Sequence, residues 1–128
     1  MTIIESKIIF DGVRILANRC YQDSKAAGWW PEGEPEELNP LTVPTKIALI
    51  HSELSEALEG HRKGLRDAHL PRYPAFTVEL ADAVIRICDL AEAYHLDLAG
   101  AIVDKLEYNL DRPDHTKEAR QSVGGKKY

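Results

Sequence analysis

The sequence predicts an all-α protein, an antiparallel four-helix bundle completed by dimerisation or tetramerisation. Apolar residues recur at helical spacing in four segments, and no segment alternates as a half-buried strand does. The third observation is residues 76–94, FTVELADAVIRICDLAEAY, which are apolar around most of a helix. Only Glu79, Asp82, Arg86 and Asp89 make a polar strip, so this helix belongs in an interior. Carboxylates on such a helix need a partner or a cation.

Taken in order, residues 3–26 read as the first helix. Ile9, Val13, Leu16, Ala17 and Cys20 form its stripe, and Gly28 stops it. Residues 29–43, WWPEGEPEELNPLTV, hold three prolines and no period, a long loop of the kind that is either functional or disordered. Pro44 and Thr45 open the second helix, which runs to about Arg62 with Gly64 beyond it. Ile47, Ile50, Leu54, Ala57 and Leu58 make its core stripe, Glu53 and Glu56 flank it, and His51 lies at its edge. Residues 65–73 connect to the central helix, which ends at His95 and Leu96. Asp97 caps a fourth helix whose buried face is Leu98, Ile102, Leu106 and Leu110, and Asp111, Arg112 and Pro113 stop it. Residues 1–121 are expected to be one domain, and residues 122–128 a flexible basic tail.

With 128 residues, 44% hydrophobic, the chain has the length and composition of one ordinary globular domain. A net charge of −5 argues against a nucleic-acid polymer as partner. No apolar run is long enough for a membrane span, and MTIIESKIIF lacks the pattern of a signal peptide. Cys20 and Cys88 have no metal-site spacing, which suits a reduced cytoplasmic protein.

The chemistry is concentrated in two acidic pairs at i and i+3, Glu53/Glu56 and Glu79/Asp82. Each pair sits on one helix face, and antiparallel neighbours bring all four carboxylates together. Four like charges in a half-buried site repel, and divalent cations remove the conflict; an all-oxygen set suits Mg2+, or Mn2+ as a substitute. Lys105, Asn109, Arg112, Lys126 and Lys127 are available for phosphate oxygens. A plain alternative is a salt-bridge strip of Asp82, Arg86 and Asp89 at i,i+4 and i,i+3 spacing.

SELSEAL followed by ELADAVIRICDLA resembles the MazG-like members of the all-α nucleoside triphosphate pyrophosphohydrolases, whose pattern is Glu-Glu-x-x-Glu, a spacer and Glu-x-x-Asp. KAAGWW, KIALIHSELSEALEGHRKG, KLEYNLDRP and the late GGKK extend the resemblance over most of residues 25–128. It implies a helical bundle working as a homodimer or homotetramer. It also implies that Glu53, Glu56, Glu79 and Asp82 ligate magnesium, and that Lys105, Asn109 and Arg112 contact phosphate or nucleotide. The activity implied is hydrolysis between the α- and β-phosphates of a nucleoside triphosphate, for nucleotide-pool control or house-cleaning. A water attacks the α-phosphorus, and Glu53 or Glu56 takes its proton; the sequence does not choose. Ser52 departs from the pattern by replacing its first Glu.

Smaller features have simpler readings beside the functional ones. Trp29 and Trp30 stack on a base or, more simply, pack on the bundle. Lys46 reaches a phosphate or stands in water, and Lys126 belongs to a tail that folds over triphosphate or stays loose. Two other functions compete. One is a non-catalytic helical nucleotide-binding or regulatory dimer, which Ser52 keeps open. The other is a di-iron protein, for which Glu92-x-x-His95 supplies a single copy of an element that such bundles use twice.

Overall fold

The computed structural model describes residues 1–33 and 39–126; Lys127 lies outside the described residues. Every regular element among them is helical: α1 Ile3–Ala26, α2 Thr42–Lys63, α3 Ala75–Ala93, α4 Leu98–Leu110, a 3-10 turn Pro113–His115, and α5 Lys117–Gln121. Among the described residues, β-pairing is limited to an isolated bridge between Arg66 and Pro74. The all-α class is therefore the class the chain adopts.

Local chemistry sets the ends of these helices. At the start of α1, Thr2 and Glu5 exchange side-chain and backbone bonds (Thr2 N to Glu5 Oε2, 2.8 Å; Glu5 N to Thr2 Oγ1, 3.2 Å), a capping box. The end of α2 passes into Gly64 at φ 61°, a left-handed conformation that costs glycine nothing, and its N–H bonds back to Gly60 and His61. Asp97 caps α4 by accepting from Gly100 N at 3.0 Å. Thr116 caps α5 in the same way, through Ala119 N.

The chain divides into two compact units, Ile15–Leu96 and Met1–Arg14 with Asp97–Tyr128. In the first, α2 and α3 run antiparallel. Gly60 near the end of α2 meets Ala75 at the start of α3. Glu53 pairs with Arg86, and Ile50 shares a core with Leu90. That core also holds Trp30 and Ala93, with Tyr21, Val43 and Tyr94 packed around it. Tyr21 and Tyr94 meet the Trp30 ring edge-on at 6.1 and 6.3 Å. In the second unit, Ser6 of α1 donates to Glu107 of α4 at 3.2 Å.

The central helix departs from its expected interior position. Burial of α3 is concentrated toward its C-terminal end, at Cys88, Asp89, Leu90, Ala91 and Ala93, with Ala83 before them. Phe76, Leu80, Val84 and Ile87 remain 39–47% exposed. The expected stripe of α2 splits likewise: Ile50 and Ala57 are buried, while Ile47, Leu54 and Leu58 are exposed. On α4, Leu106 and Leu110 are exposed rather than buried. His51 is exposed too, not a core histidine.

Candidate functional site

Glu53 and Glu56 stand on successive turns of α2, and Glu79 and Asp82 on successive turns of the antiparallel α3. All four line one cavity of about 580 Å³, together with Asp67 and His69 from the connection between the helices. Carboxylate oxygens of Glu53, Glu56 and Glu79 lie within 4.8 Å of one another. Carboxylate oxygens from neighbouring helices are the donor type that hard divalent cations take.

The electrostatics follow from that crowding. Partial burial, a hydrogen bond to Glu53 and the charges of Glu56, Glu53 and Asp82 push Glu79 above its ordinary value of 4.5. Asp82 is pushed above 3.8 by burial and by the Glu53 and Asp67 charges, against a partial offset from Arg86. Glu53, the one buried member, accepts a 2.6 Å bond from Arg86 Nε. The arrangement concentrates negative charge, with Arg86 on Glu53 and Arg66 on the cavity wall as the neighbouring cations.

The alternative strip of Asp82, Arg86 and Asp89 does not form as such. Arg86 turns across to Glu53 on α2 instead. Asp89 is buried and accepts from Trp30 Nε1 at 2.6 Å and Ser24 Oγ at 3.2 Å. Lys46 approaches Asp89 at 3.7 Å and lies 4.1 Å above the Trp30 ring. Lys46 is thus drawn into the fold rather than standing in water. Trp30 packs in the core, and Trp29 is 74% exposed.

A second cavity, of about 760 Å³, shares Asp82 and Arg86 with this region and is walled by Leu16, Cys20, Trp29 and Ile85. Sequence reasoning missed Asp67, whose signal was a turn: its Oδ1 accepts from His69 N and Leu70 N. It also missed the Asp89 hub. The available signal was an acid on an apolar helix in a chain with two adjacent indole donors.

Lys105, Asn109, Arg112 and Lys126 belong to the other unit. There Arg112 and Lys126 both bond Asp114, at 2.6 and 3.0 Å. These bonds hold its carboxyl well below the usual range. Lys105 and Arg112 both lie over the Tyr108 ring, at 4.6 and 5.8 Å. Asn109 has a buried Oδ1 with no hydrogen-bond partner among the described residues. Three of the four are therefore gathered around Tyr108 and Asp114. The chain matches no protein-family model, no curated protein and no solved structure.

Proposed function

We propose that the chain is a magnesium-dependent nucleoside triphosphate pyrophosphohydrolase, releasing a nucleoside monophosphate and pyrophosphate. The observation that carries this reading is the meeting of Glu53, Glu56 and Glu79 oxygens within 4.8 Å across two helices, with Asp82 in the same cavity. The order of those residues is that of the MazG-like pattern which the sequence resembles. Bound Mg2+, or Mn2+ in its place, supplies the positive charge that triphosphate oxygens require and these carboxylates lack.

The carboxylates divide the remaining work. Glu53 is buried and held by Arg86, whereas Glu56 is exposed at the cavity, so Glu56 is the better placed to take a proton from the attacking water. The neighbouring cavity, with the exposed Trp29 indole on its wall, is large enough for a nucleoside. Lys105, Asn109, Arg112 and Lys126 are proposed as phosphate contacts from the resemblance alone. The exposed apolar side of α3 supports a homodimer or homotetramer. No described helix is long and apolar enough to cross a membrane, and a cytoplasmic role on nucleotide pools is part of the same proposal.

A panel of canonical and modified nucleoside triphosphates, assayed for pyrophosphate release with magnesium and with manganese, tests it. Turnover by the wild type is expected to fall at least about a hundredfold in E53Q and in D82N, with helical content unchanged. Undiminished activity in both variants would overturn the site. A second reading rests on Ser52, whose Oγ is engaged with Leu49 O at 2.7 Å and supplies no carboxylate. A regulatory nucleotide-binding protein would bind members of the panel with metal and hydrolyse none.

A further inference from the structure

The phosphate contacts that the resemblance supplies, Lys105, Asn109, Arg112 and Lys126, belong to the compact unit that does not hold the carboxylate cavity. Among the described residues lining that cavity, Arg66 alone is a lysine or arginine. It comes from the connection between α2 and α3 and shares the wall with Glu53, Glu56, Asp67, Glu79 and Asp82. Glu53 is taken by Arg86. No carboxylate among the described residues pairs with Arg66. Instead its Nη1 donates to the Arg72 carbonyl at 3.1 Å.

The backbone fixes this placement. Helix α2 ends in the left-handed turn at Gly64, where Leu65 N bonds back to Gly60 O at 3.0 Å. The chain then pairs across the connection. Ala75 N donates to Leu65 O at 3.0 Å, and Asp67 N donates to Tyr73 O at 3.2 Å. These bonds make the bridge between Arg66 and Pro74, so the residues on either side of Arg66 are both anchored. Asp67 Oδ1 accepts from His69 N and Leu70 N and closes the turn. An arginine on a pinned backbone, with one N–H already tied, loses less freedom on meeting a ligand than a loose side chain does.

We propose that Arg66 is a polyphosphate-binding residue of this cavity, a role that rests on the metal–triphosphate reading above. An arginine among acids ordinarily pairs with one of them. Here the Arg72 carbonyl and the bridged backbone hold the guanidinium on the wall, and its remaining N–H groups have no partner among the described residues. A cation held by Glu53, Glu56 and Glu79 neutralises those acids and repels Arg66, unless a ligand brings negative charge between them. A chain of linked phosphates does so. Some of its oxygens meet the metal while others meet the guanidinium in charge-assisted bonds. The ligand is thus recognised by its phosphates, and inorganic and nucleoside triphosphates share that chemistry.

The test titrates the full-length wild type, R66Q and R66K with inorganic triphosphate in saturating Mg2+ by calorimetry, and with Mn2+ alone by electron paramagnetic resonance. R66Q is expected to bind triphosphate at least about tenfold more weakly. R66K, which keeps the charge without the fork, should lie between R66Q and wild type. Mn2+ alone should bind R66Q as tightly as wild type, or up to about fivefold more tightly, because a neighbouring cation is gone. A side chain that merely propped the connection would weaken both ligands together. Across nucleoside triphosphates the loss in R66Q should be the same for every base, which separates phosphate recognition from nucleoside recognition. Triphosphate binding equal in wild type and R66Q, no binding by the wild type, or a parallel loss of Mn2+ and triphosphate would each overturn the proposal. If R66Q fails to fold by circular dichroism, R66K decides, and an affinity unchanged from wild type overturns it. Triphosphate binding that depends on Arg66, with no nucleotide hydrolysed, would uphold this role and remove the pyrophosphohydrolase. Hydrolysis undiminished in R66Q would do the reverse.

Discussion

Glu79 illustrates how one side chain registers the whole carboxylate cluster. Its proton is held more tightly in the folded chain than in the unfolded one, because burial and its acidic neighbours oppose its charge. A carboxyl raised in this way is neutral in the native state just above its ordinary value of 4.5. It then loses its proton, at a cost to stability, as pH rises through its elevated range. The full cost is present at neutral pH without a cation. E79Q is therefore expected to melt up to about 4 °C above wild type at pH 7 without metal. The difference should vanish as pH falls below the ordinary carboxyl range, and calorimetry across that window checks it. The need for compensation at Glu79 and Asp82 was legible, since both sit on a helix otherwise rich in apolar residues. The partners of Arg86 and Asp89 were not. Helical spacing offers Arg86 its own neighbours, but the structure gives it Glu53 from another helix, and Asp89 takes an indole 59 positions away.

At the scale of elements, the punctuation of the chain was readable from local chemistry alone. Asp97, Gly64 and Pro113 mark boundaries by capping, by a left-handed turn and by a missing N–H. The helix α5 was missed because five residues are too few to show a period. The closeness of α2 and α3 is likewise invisible in sequence, and one glycine permits it. A Cβ on Gly60 would lie 3.1 Å from the Ala75 Cβ and 3.2 Å from the Phe76 nitrogen. Alanine is the better helix former by about 1 kcal/mol. Even so, G60A is expected to destabilise by about 1–2 kcal/mol, because backbone has to move. Urea unfolding measures the sign, and a stabilised G60A would show that the helices separate freely. Since Glu53 and Glu79 face each other along this same pair, G60A should also weaken manganese binding followed by electron paramagnetic resonance.

For the whole molecule, the helical class followed from periodicity, whereas the degree of exposure did not. Periodicity reports which residues prefer to leave water, and is silent about whether the cover comes from the same chain. Phe76, Leu80, Val84 and Ile87 recur on α3 and remain 39–47% exposed. If a second copy covers them, V84K should convert the assembly to a monomer in light scattering while leaving helical content intact. A wild type that is already monomeric at micromolar concentration would remove the homo-oligomer from the proposed function.

The two adjacent tryptophans have opposite surroundings, 74% exposed at Trp29 and 7% at Trp30, with Lys46 above the buried ring. The protein therefore carries two optical reporters within one dipeptide. Trp29 emits at the cavity rim, where iodide quenches it and an incoming aromatic solute alters it. Trp30 emits from the core, shielded from iodide and sensitive to the separation of α1 from α3. Changes at the rim and in the core can thus be followed separately in one unlabelled sample.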